Sequence, residues 1–199
     1  MKNALYIPIM VMIVGSVFIG CAYKQKVTLS PPALPEQIYK NSDINHYRHV
    51  KVGVFGFLEP KYAPDTGKAA AESVYYALLQ NNVFSNVANE TDFKNDEQFN
   101  MMAYARSGGY DLIITGEVVY YRDAVSVQSS RVAERIKVIH VSTHETLWYC
   151  ATVDTAYPVQ DKDYVFLIGS AASPPPAKLL LQRNAQKFCK LLLEASTSS

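Results

Sequence analysis

Apolar positions along the chain change their spacing from element to element. "HVKVGVFGF" holds a short apolar run, Val50 to Phe57, bounded by polar residues, which suits a buried strand. From Asp65 to Asn82 the apolar positions recur at three and four. Ala70, Val74, Ala77 and Leu78 share a face beside Leu79, and "QNN" supplies a stop, so this segment reads as a helix. "VFSNVAN" predicts a brief second strand. Asp96 to Arg106 predicts a second helix, with acids in its first turn and Arg106 just before Gly108-Gly109, as the helix dipole and a glycine stop require. "YDLIITGEVVYYRDA" predicts a third strand, fully apolar in its first half and more exposed from Glu117. "RVAERIKVIHVS" and "TLWYCATVDTAY" predict two more strands, joined by a tight turn at "THE". The last pattern puts Leu181, Ala185, Phe188 and Leu192 on one face of a closing helix.

This order predicts the α/β class: a three-layer domain with a mixed five-stranded sheet. Two helical crossovers make the first three predicted strands parallel, and two hairpins set the fourth antiparallel to its neighbours. Right-handed crossovers on opposite sides of the first strand give the sheet order 2-1-3-4-5.

The N-terminus follows another pattern. "MKNALYIPIMVMIVGSVFIGC" has an early lysine, an uncharged apolar run from Ala4 to Gly20, and then Cys21, which marks a secretory signal rather than part of the fold. "FIGC" resembles the lipobox of bacterial lipoproteins, with Phe18 where that motif usually has Leu; an ordinary cleaved signal or a retained anchor are the alternatives. The resemblance implies a signal peptide over residues 1–20 and acylation of Cys21, which anchors a protein to a membrane stably when several chains are attached. In the enterobacterial sorting rule an Asp after the cysteine retains a lipoprotein at the inner membrane. Here that residue is Ala22, so the resemblance implies the periplasmic face of the outer membrane. Residues 21–46 are polar, contain three prolines and show no apolar period; they read as a tether of roughly 25 residues, reaching up to about 80 Å when extended. Residues 47–195 form the predicted domain.

Composition narrows the function. A formal net charge of +1, with no clustered Lys and Arg, argues against a nucleic-acid or polyanion surface. Gly67-Lys68 stands before a helix as in a phosphate-binding loop, but Tyr62 occupies the first glycine position and Ala69 the Mg²⁺-binding hydroxyl position. Pro60 and Pro64 remove two further N–H donors. The segment reads instead as a strand-to-helix turn capped by Asp65 or Thr66, with Lys68 in solvent. His140 and His144 lie on a strand and a turn without a nearby acidic third ligand, and His46 and His49 read as exposed loop residues. Asp111 reads as an acceptor for turn N–H groups. No G-x-S-x-G elbow occurs, and neither Cys150 nor Cys189 has a neighbour that would lower its pKa. These observations predict no metal, no cofactor and no catalytic constellation. In an oxidising periplasm Cys150 and Cys189 either pair or remain two buried thiols.

"VKVGVFGF", the helix "AAAESVYYALLQNNVFSNV", "ARSGGYDLIITGEVVYY" and "IKVIHVSTHETLWYCA" resemble, in order and spacing, the TolB N-terminal, curli-channel and penicillin-binding-protein-activator lipoprotein superfamily. The resemblance spans about Tyr47 to Tyr157 and includes Gly109 to Val118 and Ile139 to Trp148. It implies a binding and assembly domain without enzymatic activity, whose partner is another envelope protein. A curli-type pore needs long apolar hairpins, whereas the corresponding connection here, "RDAVSVQSSR", is short and polar. Three uses stay open: a tethered domain that binds or regulates an envelope complex, a homo-oligomeric scaffold of a secretion or flagellar apparatus, and an envelope enzyme. The expected contact surface is the apolar run Tyr164, Val165, Phe166, Leu167 and Ile168 between the last strand and last helix, continued by Tyr120 and Tyr121. The same run can instead fold back to cap an open edge of the core.

Overall fold

The computed structural model describes residues 37–40, 44–93, 98–125, 128–158 and 173–194, all within one compact unit. Their elements are β1 (Gln37–Lys40), a 3-10 turn (Ile44–Tyr47), β2 (Lys51–Phe55), α1 (Thr66–Gln80), β3 (Asn86–Glu90) and α2 (Gln98–Ser107). Then follow β4 (Leu112–Arg122), β5 (Ser130–His140), β6 (Thr146–Ala156) and α3 (Ala177–Glu194). The six strands form one sheet in the order β3-β2-β4-β5-β6-β1. β2 runs parallel to β3 and β4, while β5 is antiparallel to both β4 and β6. The five strands expected from the sequence thus lie in the expected order and directions.

The sixth strand corrects the tether reading. β1 falls inside the expected linker and pairs antiparallel with β6, Gln37 opposite Ala151 and Lys40 opposite Trp148. All four of its residues are exposed, so no apolar alternation announces it. Its place in the sheet comes from backbone hydrogen bonds to β6 rather than from buried side chains.

Three layers result from the two-faced sheet. On one face α1 and α3 lie side by side, burying Val74, Leu78, Leu181, Ala185 and Phe188 against Val54, Ile114, Ile136 and Val138. The four α3 residues read as one apolar face, Leu181, Ala185, Phe188 and Leu192, are all buried. On the other face α2 sets Met101, Met102 and Ala105 against Phe55, Ile113 and Ile139. Each large side chain so buried contributes about 1.5–3 kcal/mol relative to exposure. Residue Asp96, expected to start α2, lies outside the described residues.

α1 does not begin with the cap expected of Asp65 or Thr66. Asp65 adopts φ 64° and its side chain makes no cap. Instead Glu59 accepts a hydrogen bond from the Gly67 N–H at 2.9 Å, and Thr66 Oγ1 donates to the Ala63 carbonyl at 2.7 Å. For α3, Asp123 accepts from the Ala177 N–H at 2.8 Å, and Ser130 Oγ donates to the Pro175 carbonyl at 2.7 Å. Both helix N-termini therefore carry a carboxylate brought in from outside the helix, which satisfies a free N–H and complements the dipole.

Candidate partner-binding groove

The turn before α1 does not form a phosphate site. Its free N–H is already taken by Glu59, and Lys68 forms an exposed ion pair with Asp92 rather than reaching over the helix start. Three of the histidines are likewise engaged apart from one another. Arg106 donates to His144 Nε2 at 2.9 Å, while His140 Nδ1 lies 3.1 Å from Ser142 Oγ and its ring packs edge-on to Tyr47. His49 Nδ1 lies 3.2 Å from Ser85 Oγ. Among the described residues no three His, Cys, Asp or Glu side chains gather as a metal-holding set.

Asp111 accepts from a strand rather than from a turn. Its Oδ2 takes the Lys51 N–H at 2.8 Å, and its own N–H donates to the Lys51 carbonyl at 2.9 Å, which fastens the start of β4 to the start of β2. Cys150 and Cys189 are both buried thiols rather than halves of a bridge. Burial pushes the Cys189 thiol up to about 12, so it is inert toward exchange.

Tyr120 and Tyr121 do not form one surface. A bulge between Val118 and Tyr120 inserts Val119, so Tyr121, opposite Val132, turns to the helix side and packs on the core, while Tyr120, opposite Ala133, stays exposed. Burial, with Asp123 adding to it, raises the Tyr121 phenol. Arg131 sits over the Tyr120 ring at 6.0 Å. Cys21 and the run Tyr164 to Ile168 lie outside the described residues.

A wide concavity lies where the sequence reading singled out nothing. Hydrogen bonds fix how its walls run: Ser130 meets Pro175 near the end of β6, and Glu134 meets Asn184 further back along the sheet, so α3 returns antiparallel to β6. α1 returns antiparallel to β2, ending where Ser85 N–H donates to the Arg48 carbonyl at 2.8 Å. The two helices therefore run in the same direction, and Gln186 ties them by accepting from Asn81 Nδ2 and donating to Gln80 Oε1, both at 2.9 Å. Above that tie a groove of about 1010 Å³ opens to solvent.

Tyr76 and Leu179, 57% and 44% exposed, line the groove together with Leu193. Four bases, Lys178, Arg183, Lys187 and Lys190, stand along its α3 wall against two acids, Glu72 and Glu194. Its two exposed apolar side chains, though not their meeting, stood out in the sequence: Tyr76 lies off the apolar stripe of α1 and Leu179 off that of α3, each on a face turned from the core. A smaller cavity of about 250 Å³ lies on the opposite sheet face, between Met101 of α2 and Tyr149, and is crossed by the Arg135–Glu117 ion pair at 3.2 Å.

An α/β domain with two helices on one face of a mixed sheet, one on the other, and an open groove across the helix pair defines the class of molecule at hand. No family model and no curated protein matches the sequence. Among solved structures, the PelC dodecamer of Paraburkholderia phytofirmans matches with a TM-score of 0.56 at 17% identity, over 81% of this chain and 97% of that one. Lipoprotein GNA1162 of Neisseria meningitidis matches at 0.44 and 10% identity, over 73% and 99% of the two chains. The LpoB C-terminal domain of Salmonella enterica matches at 0.38 and 13%, over 52% and 82%. The likeness to the PelC subunit establishes the fold, and the resemblance read from the sequence holds at that level. Among the described residues no helix is long and apolar enough to cross a membrane.

Proposed function

We propose that this chain is a lipid-anchored protein of the bacterial envelope whose folded domain works without catalysis, by holding a protein partner in the groove between α1 and α3. The observation that carries this reading is the groove itself. It offers Tyr76 and Leu179 to solvent and flanks them with four bases against two acids. An apolar floor with a net positive rim fits an amphipathic helix that is acidic along its edges, laid in as helices lie in hydrophobic grooves. The wall from Lys178 to Glu194 spans about 24 Å at 1.5 Å per residue, room for a helix of roughly four turns. Tyr76 is the kind of side chain that anchors such contacts.

The anchor rests on Cys21 at the end of the apolar N-terminal run, and Ala22 after it favours the periplasmic face of the outer membrane. The PelC likeness favours a second reading, a homo-oligomeric scaffold, for which the exposed edge strand β1 offers a surface.

Affinity purification of the full-length protein from membranes, wild type beside the double variant Tyr76→Asp and Leu179→Asp, tests the groove. The reading predicts a partner lost from a variant that still unfolds within a few degrees of wild type, and a synthetic acidic helix from that partner that competes for wild type. Retention of the partner by the double variant rejects the groove. Exchange of differently tagged copies that persists in the double variant, with no other partner recovered, supports the scaffold instead.

A further inference from the structure

β5 alternates Val132, Glu134, Ile136 and Val138 toward the helix layer, so an acid stands in a row of aliphatic side chains. Glu134 is 2% exposed. Asn184, 0% exposed on α3, donates Nδ2–H to Glu134 Oε2 at 2.6 Å and is its sole side-chain hydrogen-bond partner among the described residues. Directly across the ladder on β6 stands Thr152, whose Oγ1 is buried without a hydrogen bond; so is Oδ1 of Asn184.

Among the described residues, the remaining titratable or charged groups on this face leave the site without a counter-charge. β4 places Val118 opposite Glu134 and Tyr121 further on; β6 places Cys150 and Asp154 on either side of Thr152. α3 brings Arg183, which pairs with Asp154 at 3.6 Å, and the buried Cys189, while Lys178, Lys187 and Lys190 line the outer groove. A carboxylate here would be a buried charge with one neutral donor. A carboxylic acid would accept from Asn184 and have a proton to give to one of the two orphan oxygens.

We propose that Glu134 is a proton-controlled fastener for α3: as the neutral acid it holds the helix in its seat on β5 and β6, and on ionising it loosens that seat. Burial pushes its carboxyl up to about 8, opposed by the Asn184 hydrogen bond. The folded-state value lies above that of an ordinary glutamate, so the stability it confers is complete below the unfolded value and is lost as pH rises through about 8. Because α3 is one wall of the groove, the same proton also adjusts the partner site. That consequence rests on the groove reading, whereas the fastener does not.

Hydrogen exchange of the full-length protein, measured without partner and corrected for the intrinsic pH dependence of exchange, tests the fastener. Protection of α3 amides, relative to those of β4, falls at least about tenfold between pH 5.5 and pH 9 in wild type and stays level in Glu134→Gln. Carboxyl-carbon NMR of the wild type places the Glu134 titration well above that of ordinary glutamates, which keeps the proposal testable even where the variant fails to fold. An equal pH-dependent loss in Glu134→Gln, or a Glu134 titration in the ordinary carboxylate range, overturns it. Neither readout involves Tyr76 or Leu179, so failure of the groove leaves this result standing.

Discussion

A Cβ on Gly67 would sit 2.1 Å from the Phe57 carbonyl oxygen, so α1 starts pressed against the backbone that leaves β2. Gly67→Ala is expected to cost about 3 kcal/mol in denaturant unfolding, since the obstacle is backbone and cannot rotate aside. Glu59→Ala, which removes only the cap on the same residue, should cost about 1 kcal/mol. Lys68→Ala should leave the unfolding midpoint unchanged, because its partner Asp92 is 87% exposed and the pair is open to solvent. The sequence showed that Gly67-Lys68 was not a phosphate loop, since Tyr62 and Ala69 stand where that motif needs other residues. It could not show that Glu59 would be the cap, because a cap eight residues away depends on how the intervening turn folds. Which of Tyr120 and Tyr121 faces the core was hidden for a related reason. A bulge at Val119 is invisible to a two-residue period, yet it decides which tyrosine faces the core. Tyr121→Ala should accordingly destabilise the domain and Tyr120→Ala should not, a difference that paired unfolding curves would read directly.

At the scale of elements, what was legible was what an apolar period writes. The stripe of α3 predicted Leu181, Ala185, Phe188 and Leu192 as buried, and all four are. Phe188→Ala should cost about 3–5 kcal/mol, since it opens a cavity where α3 meets the sheet and α1. Edge strand β1 was not legible, because "QIYK" buries nothing and joins the sheet through its backbone alone. Glu134 was legible but passed over: it occupies an inward position in the β5 alternation, between Val132 and Ile136. The choice left open for Cys150 and Cys189 falls on the side of two thiols, each in a separate element and each packed as a small apolar side chain. Intact mass of the protein after alkylation under denaturing, non-reducing conditions should show both modified. Absence of alkylation at both positions would contradict this packing.

On the scale of the whole molecule, the fold places two large helices on one face and one short helix on the other, and the proposed partner site follows from this asymmetry. The α1–α3 pair presents a groove with an apolar floor, whereas α2 borders a small cavity crossed by an ion pair. The groove itself was not legible from the sequence, because it depends on α1 and α3, some hundred residues apart, lying side by side in the same direction. Attachment is a separate matter, and Cys21→Ser is expected to shift the protein from the membrane to the soluble fraction and abolish fatty-acid labelling. The most direct measurement of the central claim is site-specific photo-crosslinking from position 179 in the full-length, membrane-attached protein, with the crosslinked segment sequenced by mass spectrometry and position 120 as the comparison. The groove account predicts that position 179, and not position 120, captures one acidic, amphipathic helical segment of another envelope protein. Crosslinks from position 179 only to further copies of this chain, or the same segment captured equally from position 120, would contradict it.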